Sequence, residues 1–254
     1  MEWLMKLATI PPLKLAEDTF FRDYQLLLPQ LMNDERYAEL HSDSLVEQYR
    51  IMDNGAAEGD HIAPAALYQV AEKASAHEVV ITDRMGEGDT TQAILDSWEF
   101  NPSFNHMYVV HGRTLAGILK RAMYAQQFEQ VTCIGLPRLL FDTIEQNRFG
   151  AALRGHLASI IKNNFKRPID IHLLGSHPLW YNEAYVVASN PYIRGMDTSL
   201  PYYLAMYGHL FENAPLNLRR PKSYFRWVPE NDSIGEIISE NVRTMDHWIA
   251  NVRP

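Results

Sequence analysis

The sequence predicts an α/β protein folded as a single (β/α)8 barrel, also called a TIM barrel. Apolar stretches of strand length alternate with segments whose apolar residues recur at helical spacing, which is typical of βα units around a parallel sheet. About eight such units fit into the 254 residues, near the usual length of this fold. No internal repeat, low-complexity tract or flexible linker interrupts the pattern. We therefore expect one domain over residues 1–254, with an irregular insertion near 212–231.

The predicted strands share a composition that is apolar on both faces in several cases, as strands covered by helices must be. In chain order they are Tyr24–Leu28, Tyr49–Met52, Glu78–Thr82, His106–Val110, Gln130–Ile134, Ile169–Leu174, Ile193–Met196 and Tyr224–Val228. Segments of helical spacing lie between them, at Pro64–Ser75, Gln92–Trp98, Arg113–Gln127, Arg138–Phe165, Leu179–Ser189 and Pro201–Phe211. A last helix over Ser233–Asn251 is predicted to be capped by Asp232 or Ser233.

Charge restricts the ways in which this chain can contact nucleic acid. The formal net charge is −8, so the average surface repels phosphate and any such contact needs a local basic patch. The insertion supplies a candidate, because aromatic residues alternate there with Arg219, Arg220, Lys222 and Arg226. Arg138, Arg148 and Arg154 are further candidates for the same groove. A basic run of this kind is also compatible with a merely solvated surface.

The cysteine count indicates a reducing compartment, and the hydropathy bears on membrane contact. Cys133 is the only cysteine, so the chain can form neither an internal disulfide nor a cysteine-based zinc site, and we expect this thiol to be buried. No apolar stretch approaches the roughly 20 residues of a membrane span. The first residues lack a signal-peptide pattern. A cytoplasmic protein without membrane contact is the expectation.

Polar residues and glycines follow most of the predicted strands. They are Asp53, Asp83, His111, Gly135, Gly175 and Asp197. In a TIM barrel the loops after the strands carry the catalytic residues, so these positions predict one active site. Each aspartate alone has a structural explanation, since Asp53 begins an Asp-Asn-Gly turn and Asp197 could cap a helix. Two carboxylates in one pocket suit nucleophilic and acid–base work at a sugar carbon.

Five motifs carry a resemblance to a known family. Four of them are Ile51-Met-Asp-Asn-Gly-Ala-Ala-Glu58, Val109-Val-His-Gly112, Cys133-Ile-Gly-Leu-Pro137 and His172-Leu-Leu-Gly-Ser176, and the fifth is Gly195-Met-Asp-Thr-Ser-Leu-Pro201. In order, they resemble Asp-Ser-Gly-Gly-Phe-Gln, Val-Gln-Gly, Gly-Gly-Leu, Leu-Met-Gly-Val-Gly and Phe-Asp-Cys-Val-Leu-Pro of the tRNA-guanine transglycosylases. The chain is most similar to the shorter relatives of these enzymes in phages and DNA-modification clusters, which exchange guanine in DNA for a 7-deazaguanine.

The resemblance implies a role for each strand-end residue. Asp197 would be the nucleophile that attacks C1′ of the nucleoside, and Asp53 the general acid and base for the departing and incoming bases. Asp83, His111 and the backbone at Gly135 and Leu136 would bind the base, with Asn54 and Gly175 in the same pocket. The target nucleotide would be flipped out or single-stranded, and Tyr108 or Trp180 could stack on it.

Departures from the family pattern narrow the expected substrate. The three zinc-binding cysteines of the large tRNA enzymes are missing, so a zinc-binding subdomain is not expected. The family's glutamate that receives an aminomethyl group is replaced around Pro137-Arg138, which favours the neutral 7-cyano-7-deazaguanine as the incoming base. The implied partners are DNA, at guanine sites, and this free base, with no cofactor; a homodimer is left open. Glu58 has no assigned role and is expected to be exposed.

Four alternatives remain open from the sequence. A tRNA-guanine transglycosylase-like enzyme would keep the chemistry and change the polymer. A small-molecule nucleoside hydrolase or glycosidase would keep the two carboxylates and use no polymer. A metal-dependent hydrolase could use some of the 10 histidines, although these show no His-x-His or His-Glu-x-x-His spacing. A non-catalytic subunit on the same fold is the fourth, since a fold does not guarantee activity.

Overall fold

Eight parallel strands form the centre of the protein. The structure, a computed structural model, describes residues 5–42, 48–59, 62–138, 150–176, 183, 190, 192–215 and 218–251. The strands are β1 (Lys6–Thr9), β2 (Tyr24–Leu27), β3 (Tyr49–Met52), β4 (Glu78–Val80), β5 (Asn105–Val109), β6 (Val131–Pro137), β7 (Asp170–Leu174) and β8 (Ile193–Thr198). From β2 to β8 each strand pairs with its successor, and β8 also pairs with β1.

The sheet is nearly closed, because β1 packs against β2 as well as pairing with β8. Helices alternate with the strands: α1 (Glu35–Ser42), α2 (Pro64–Lys73), α3 (Gly88–Asp96), α4 (Leu115–Ala125), α5 (Gly150–Asn164), α6 (Leu200–Met206) and α7 (Asp232–Asn251). This order confirms the predicted (β/α)8 barrel. Parallel pairing also brings the carboxyl ends of all eight strands to one face, where the predicted site residues lie.

Two strand predictions were wrong. The short segment Lys6–Thr9 was not predicted, yet it forms β1, because its backbone pairs with β8 in register from Lys6↔Gly195 to Thr9↔Thr198. The segment Tyr224–Val228 is not a strand, since Tyr224–Arg226 forms a single 3-10 turn. Its aromatic composition reflects burial instead of sheet pairing: Tyr224 is fully buried, and its hydroxyl donates to the carbonyl of Ile10 at 2.5 Å.

The helix predictions hold with shifted ends and some omissions. The helix α1 was not predicted, and the predicted helix over 179–189 lies outside the described residues except for position 183. The cap of α7 is neither Asp232 nor Ser233. The side chain of Asn231 accepts a hydrogen bond from the backbone N–H of Ile234 at 3.3 Å, which is the geometry of an N-cap.

Charged and aromatic side chains occupy the amino-terminal half of the barrel interior. Arg194 makes two hydrogen bonds to Glu78, of 2.7 and 2.9 Å, and the hydroxyl of Tyr49 donates to the same carboxylate at 2.6 Å. Burial opposes the charge on Glu78, but Arg194 and Tyr49 outweigh it, so the pKa of this carboxyl is lowered. The glutamate is therefore a buried anion with its partners in place.

A bulge in β8 brings Arg194 into the barrel. The pairing of β7 with β8 runs from Ile171↔Ile193 directly to His172↔Gly195, so Arg194 is an extra residue on its strand. The next residue must be glycine, because a Cβ at Gly195 would lie 2.7 Å from the Tyr24 ring and 2.8 Å from the carbonyl oxygen of Lys6. The missing side chain makes room for Tyr24 inside the barrel.

Cys133 is fully buried, as predicted, and burial raises the pKa of its thiol well above the ordinary value. Within the part of the chain that the structure describes, no helix has the length and apolar character needed to cross a membrane.

We expect Gly195→Ala to destabilise the protein by about 1–3 kcal/mol, because the added methyl group overlaps the Tyr24 ring and the β1 backbone. Urea unfolding followed by circular dichroism measures the change. Gly235→Ala is the matched control: its Cβ meets nothing within 4 Å on α7, and we expect equal or greater stability. Equal stability of both variants would contradict the tight contact at Gly195.

Candidate active site

Asp53 lies immediately after β3 at the carboxyl end of the barrel. Its backbone N–H donates to the carbonyl of Leu27 at 2.8 Å, which extends the pairing with β2 by one residue. The chain then turns at Gly55, whose φ of +76° favours glycine. The side chain of Asp53 is buried, and its Oδ2 has a long contact of 3.4 Å with the N–H of Gly55. The predicted turn thus directs this carboxyl into the barrel mouth.

Asn54 joins the turn to the next strand end. Its side-chain amide donates to the carbonyl of Ile81 at 2.8 Å and to Asp83 Oδ1 at 2.7 Å. Its Oδ1 accepts from the N–H of Ala56 at 2.8 Å. All of these bonds are internal to the protein. The geometry therefore makes Asn54 a support for Asp53 and Asp83, while its predicted substrate contact stays a prediction.

Asp83 and His111 form a buried pair on the neighbouring strand ends. Asp83 Oδ2 is bonded to His111 Nε2, and Nδ1 of the same ring accepts from the N–H of Gly86 at 3.3 Å. Because Nδ1 is an acceptor, the ring proton is assigned to Nε2, which donates to Asp83. Each oxygen of Asp83 therefore already accepts a bond from the protein. Base recognition by Asp83 and His111 remains a prediction. Both ring nitrogens of His111 are engaged within the protein, so a hydrogen bond to a base would have to use the remaining lone pairs of Asp83.

Asp197 lies at the same end of the barrel on β8, which β1 and β2 separate from β3. It is inside β8 and not beyond its end, and both carboxylate oxygens are held. Oδ1 is 3.0 Å from His172 Nε2, and Oδ2 accepts from the N–H of Gly175 at 3.1 Å. Gly175 has φ of +69°, which allows the loop after β7 to turn its N–H toward this carboxylate. Gly175 thus holds Asp197 through its backbone N–H.

Electrostatics link the two predicted catalytic aspartates. The pKa of Asp53 is raised to about 8, first by burial and then by the negative charges of Glu58, Asp197 and Asp83. The negative charge of Asp197 thus acts on Asp53, while the prediction that the two residues face one pocket stays a prediction. A pKa of about 8 leaves Asp53 mostly protonated at neutral pH. Each oxygen of Asp197 has a nitrogen partner, His172 Nε2 on Oδ1 and the N–H of Gly175 on Oδ2.

Glu58 is part of this group of acids, and the expectation of an exposed side chain was wrong. Its side chain is 12% exposed, and it pairs with Arg220 at 2.5 Å. Burial raises the pKa of Glu58, although Arg220 opposes the shift. The guanidinium of Arg220 also lies 5.5 Å from the ring centre of Tyr224 and 5.0 Å from that of Phe225. A buried carboxylate requires such a partner, which the distant insertion supplies.

The backbone predicted to bind the base is largely engaged within the barrel. Gly135 lies inside β6, and its carbonyl accepts from the N–H of Val110 at 3.1 Å. The carbonyl of Leu136 accepts from Arg154 at 3.2 Å. Direct contacts of Gly135 and Leu136 with a base therefore stay predictions that only their free lone pairs could fulfil.

The predicted stacking residues receive no support from the structure. Tyr108 is completely buried, and the charges that act most on its hydroxyl are those of Arg121 on α4 and Asp96 on α3. Tyr108 therefore has no exposed surface on which a base could stack. Trp180 lies outside the described residues.

The basic residues divide into exposed and internal ones. Arg219, Lys222 and Arg226 are exposed, in keeping with a surface role, whereas Arg220 is committed to Glu58. Arg154 was wrongly predicted to line a groove, because it is buried and paired with Glu183. Its guanidinium also binds the carbonyls of Leu136, Leu174 and Gly175. Arg138 donates to the carbonyl of Ser176 at 3.1 Å, and Arg148 lies outside the described residues.

The residues that hold Asp197 from inside the barrel were not predicted from the sequence. His172 lies in one of the family-like motifs without an implied role, and Tyr24, Arg194 and Glu78 lie within predicted strands. The available signal was a histidine at the centre of the apolar strand Ile171-His-Leu-Leu174, since a buried polar group on such a strand needs a specific partner. Among the residues that the structure describes, no three or more His, Cys, Asp or Glu side chains form a group that could hold a metal ion.

Comparisons with known proteins give only weak similarities. The sequence matches no protein-family profile and no curated protein. A solved structure assigned as a fructose-1,6-biphosphate aldolase from Coccidioides immitis is 8% identical, with a TM-score of 0.45 over 98% of this chain and 93% of that one. A doubly substituted flavocytochrome b2 with sulfite bound is 11% identical, with a TM-score of 0.45 over 99% and 68%. Similarities this weak carry no argument about function.

We expect Asp53→Asn to stabilise the protein increasingly as the pH rises. Folded Asp53 keeps its proton up to about pH 8, whereas the unfolded chain releases it near pH 3.8. The wild type therefore loses up to about 1.4 kcal/mol of stability per pH unit across this window relative to the variant. Denaturant titrations at intervals from pH 4 to pH 9 measure the difference. Asp89→Asn, which removes an exposed carboxylate on α3, is the control, and a pH-independent difference for Asp53→Asn would contradict the raised pKa.

Proposed function

We propose that this protein is a guanine-exchanging pentosyltransferase that replaces guanine in DNA with a 7-deazaguanine base, with 7-cyano-7-deazaguanine as the favoured substrate. The proposal joins the ordered motifs of the tRNA-guanine transglycosylases to the TIM barrel. One observation carries most of its weight: two acids at the carboxyl end of the barrel have different surroundings. Asp197 is held on both oxygens, by His172 Nε2 at 3.0 Å and by the N–H of Gly175 at 3.1 Å, whereas burial and nearby negative charges raise the pKa of Asp53 to about 8.

The inequality of these two acids matches the first half of such an exchange. Asp197 attacks C1′ of the target nucleotide, forming a C1′–O bond while the C1′–N9 bond to guanine breaks. The electron pair of that bond leaves with guanine, and the proton on Asp53 neutralises the departing base. A pKa of about 8 suits this step, because the acid is protonated at neutral pH yet releases its proton readily.

The second half reverses these transfers with the new base. The ring N–H of the 7-deazaguanine gives its proton to Asp53, and the nitrogen attacks C1′ as the ester bond to Asp197 breaks. Two displacements at C1′ retain its configuration. Atoms and charge balance without a redox step or a cofactor.

The exposed part of the insertion is suited to contact the polymer. Arg219, Lys222 and Arg226 are exposed, while Tyr224 fixes the same segment to Ile10, at the carboxyl end of β1. Positive charge therefore lies beside the barrel mouth in a protein whose net charge is −8. A target nucleotide must leave its helix to reach a buried carboxylate, so this segment would hold the neighbouring phosphates.

We expect Asp197→Asn to abolish base exchange while leaving the fold intact, because an amide cannot form the glycosyl ester. The measurement is incorporation of labelled 7-cyano-7-deazaguanine into duplex DNA, single-stranded DNA and tRNA in parallel reactions. Asp89→Asn, with an exposed carboxylate, is the control. Denaturing gel electrophoresis of wild-type reactions that contain DNA but no free base should show a covalent protein–DNA adduct. The Asp197→Asn variant should lack this adduct.

The arms of this experiment separate the alternatives. Label in tRNA alone would replace DNA by tRNA as the substrate. Release of free base from nucleosides without incorporation would identify a hydrolase. Undiminished exchange by Asp197→Asn would rule out this residue as the nucleophile. No reaction with any polymer or nucleoside would favour a non-catalytic protein.

We expect the double variant Arg219→Gln, Lys222→Gln to bind DNA with a weaker salt dependence. Each lost phosphate contact lowers the slope of log Kd against log salt by about one, so the slope should fall by about two. Fluorescence anisotropy with a labelled oligonucleotide across a salt series measures it. Arg243→Gln removes a charge that is paired with Glu240 on α7, and it is the control. An unchanged slope in the double variant would exclude the insertion as the binding segment.

A further inference from the structure

A chain of hydrogen bonds runs from Asp197 into the barrel interior. His172 Nε2 is 3.0 Å from Asp197 Oδ1, and His172 Nδ1 is 2.8 Å from the hydroxyl of Tyr24. The Tyr24 oxygen lies 3.2 Å from Arg194 Nε, and Arg194 is paired with Glu78. His172 and Glu78 have no exposed side-chain surface, and Tyr24 is 2% exposed. No solvent is needed to complete this chain.

The direction of the protons in the chain follows from Arg194 and from the burial of Tyr24. A guanidinium N–H can only donate, so the Tyr24 oxygen accepts from Arg194. The buried O–H of Tyr24 needs an acceptor of its own, and among the described residues His172 Nδ1, at 2.8 Å, is the one within reach. Burial raises the pKa of Tyr24 well above its ordinary value, which keeps that proton in place. With Nδ1 as acceptor, His172 carries its proton on Nε2 and donates it to Asp197.

His172 remains neutral in this position. Burial lowers its pKa, and the neighbouring Asp197 opposes the shift without reversing it. A neutral ring with only one N–H has two tautomers, and only one of them can donate to Asp197. Tyr24 therefore selects the tautomer that the carboxylate requires.

We propose that Tyr24 and His172 are positioning residues that hold Asp197 aimed at the barrel mouth as a hydrogen-bonded carboxylate. This inference rests on the proposed function, since it assigns the two residues to the nucleophile of that reaction. The inference extends that function to two buried residues that would act through Asp197 and not on the substrate directly. The Glu78–Arg194 pair at the inner end of the chain fixes the orientation of Tyr24.

The donor from His172 acts unequally on the two halves of the exchange. Asp197 loses its negative charge when its oxygen bonds to C1′, and regains it when that bond breaks and the electron pair returns to the carboxylate. A hydrogen bond is stronger to a carboxylate than to an ester. The His172 N–H therefore favours departure of Asp197 from the sugar, and its loss should make the covalent intermediate accumulate.

The first test reads the tautomer and requires no activity. Nitrogen NMR of protein labelled with 15N-histidine should show His172 as a neutral ring protonated at Nε2, assigned by its loss in His172→Gln. In Tyr24→Phe, we expect that ring to lose the single tautomer. Tyr37→Phe also removes one buried hydroxyl but lies on α1, and it should leave the signal unchanged. An unchanged His172 tautomer in Tyr24→Phe would overturn the proposal.

The second test reads the exchange reaction. We expect Tyr24→Phe to lower kcat by about 10- to 100-fold, because the His172–Asp197 hydrogen bond, which is one to a charged group, is then no longer secured. More covalent adduct should be present at steady state, and KM should change little. His172→Gln keeps an N–H donor and should retain more activity than His172→Leu. Equal rates for the Gln and Leu variants, or no change in Tyr24→Phe, would overturn the proposal.

The two tests distinguish failure of the inference from failure of the proposed function. If the wild type exchanges no base in any polymer, the proposed function fails, and the tautomer in Tyr24→Phe still decides whether Tyr24 orients His172. If the wild type exchanges base but Tyr24→Phe matches it in tautomer and rate, the inference alone fails.

Discussion

The ion pair between Arg194 and Glu78 is the constraint on which the interior of this barrel depends. Arginine stays charged in proteins, so a guanidinium inside a barrel must be met by a carboxylate and by oriented acceptors. Glu78 on β4 supplies both oxygens, while the Tyr24 and Tyr49 oxygens, on β2 and β3, lie within 3.2 and 3.3 Å of Arg194. Asp170 on β7 is 3.5 Å from the same guanidinium, so one charge on β8 contacts four other strands, and Tyr24 links it to His172.

The mouth of the barrel has the opposite problem, an excess of negative charge. Glu58, Asp83 and Asp197 all raise the pKa of Asp53, and the protein reduces this repulsion in two ways. Asp53 keeps a proton, and Arg220 neutralises Glu58. Both devices also bear on the proposed chemistry, because the retained proton is the one that a departing base would need. In the proposed mechanism, the electrostatic repulsion that makes Asp53 keep its proton also provides the proton for the departing base.

Sequence patterns predicted the barrel because its strands and helices differ in period, and they located Asp53 and Asp197 because strand ends are chemically distinctive. They could not predict contacts made between distant segments. Glu58 looked solvent-exposed until Arg220, 162 positions later, was found against it. The role of His172 depends on a tyrosine 148 positions away, and the bulge that admits Arg194 leaves no local signature. Short β1 was missed because only its pairing with β8 makes it a strand.

The pairing of β1 with β8 also bears on the order in which the protein is assembled. The first strand forms its ladder with a strand that emerges from the ribosome nearly 190 residues later, and Tyr224 then fastens Ile10 across 214 positions. Such long-range closure is slow, because chain entropy is lost before the contacts form. A nascent chain that ends before β8 lacks Asp197 and the strand whose backbone pairs with β1. Completion of the barrel and completion of the site are thus the same late event.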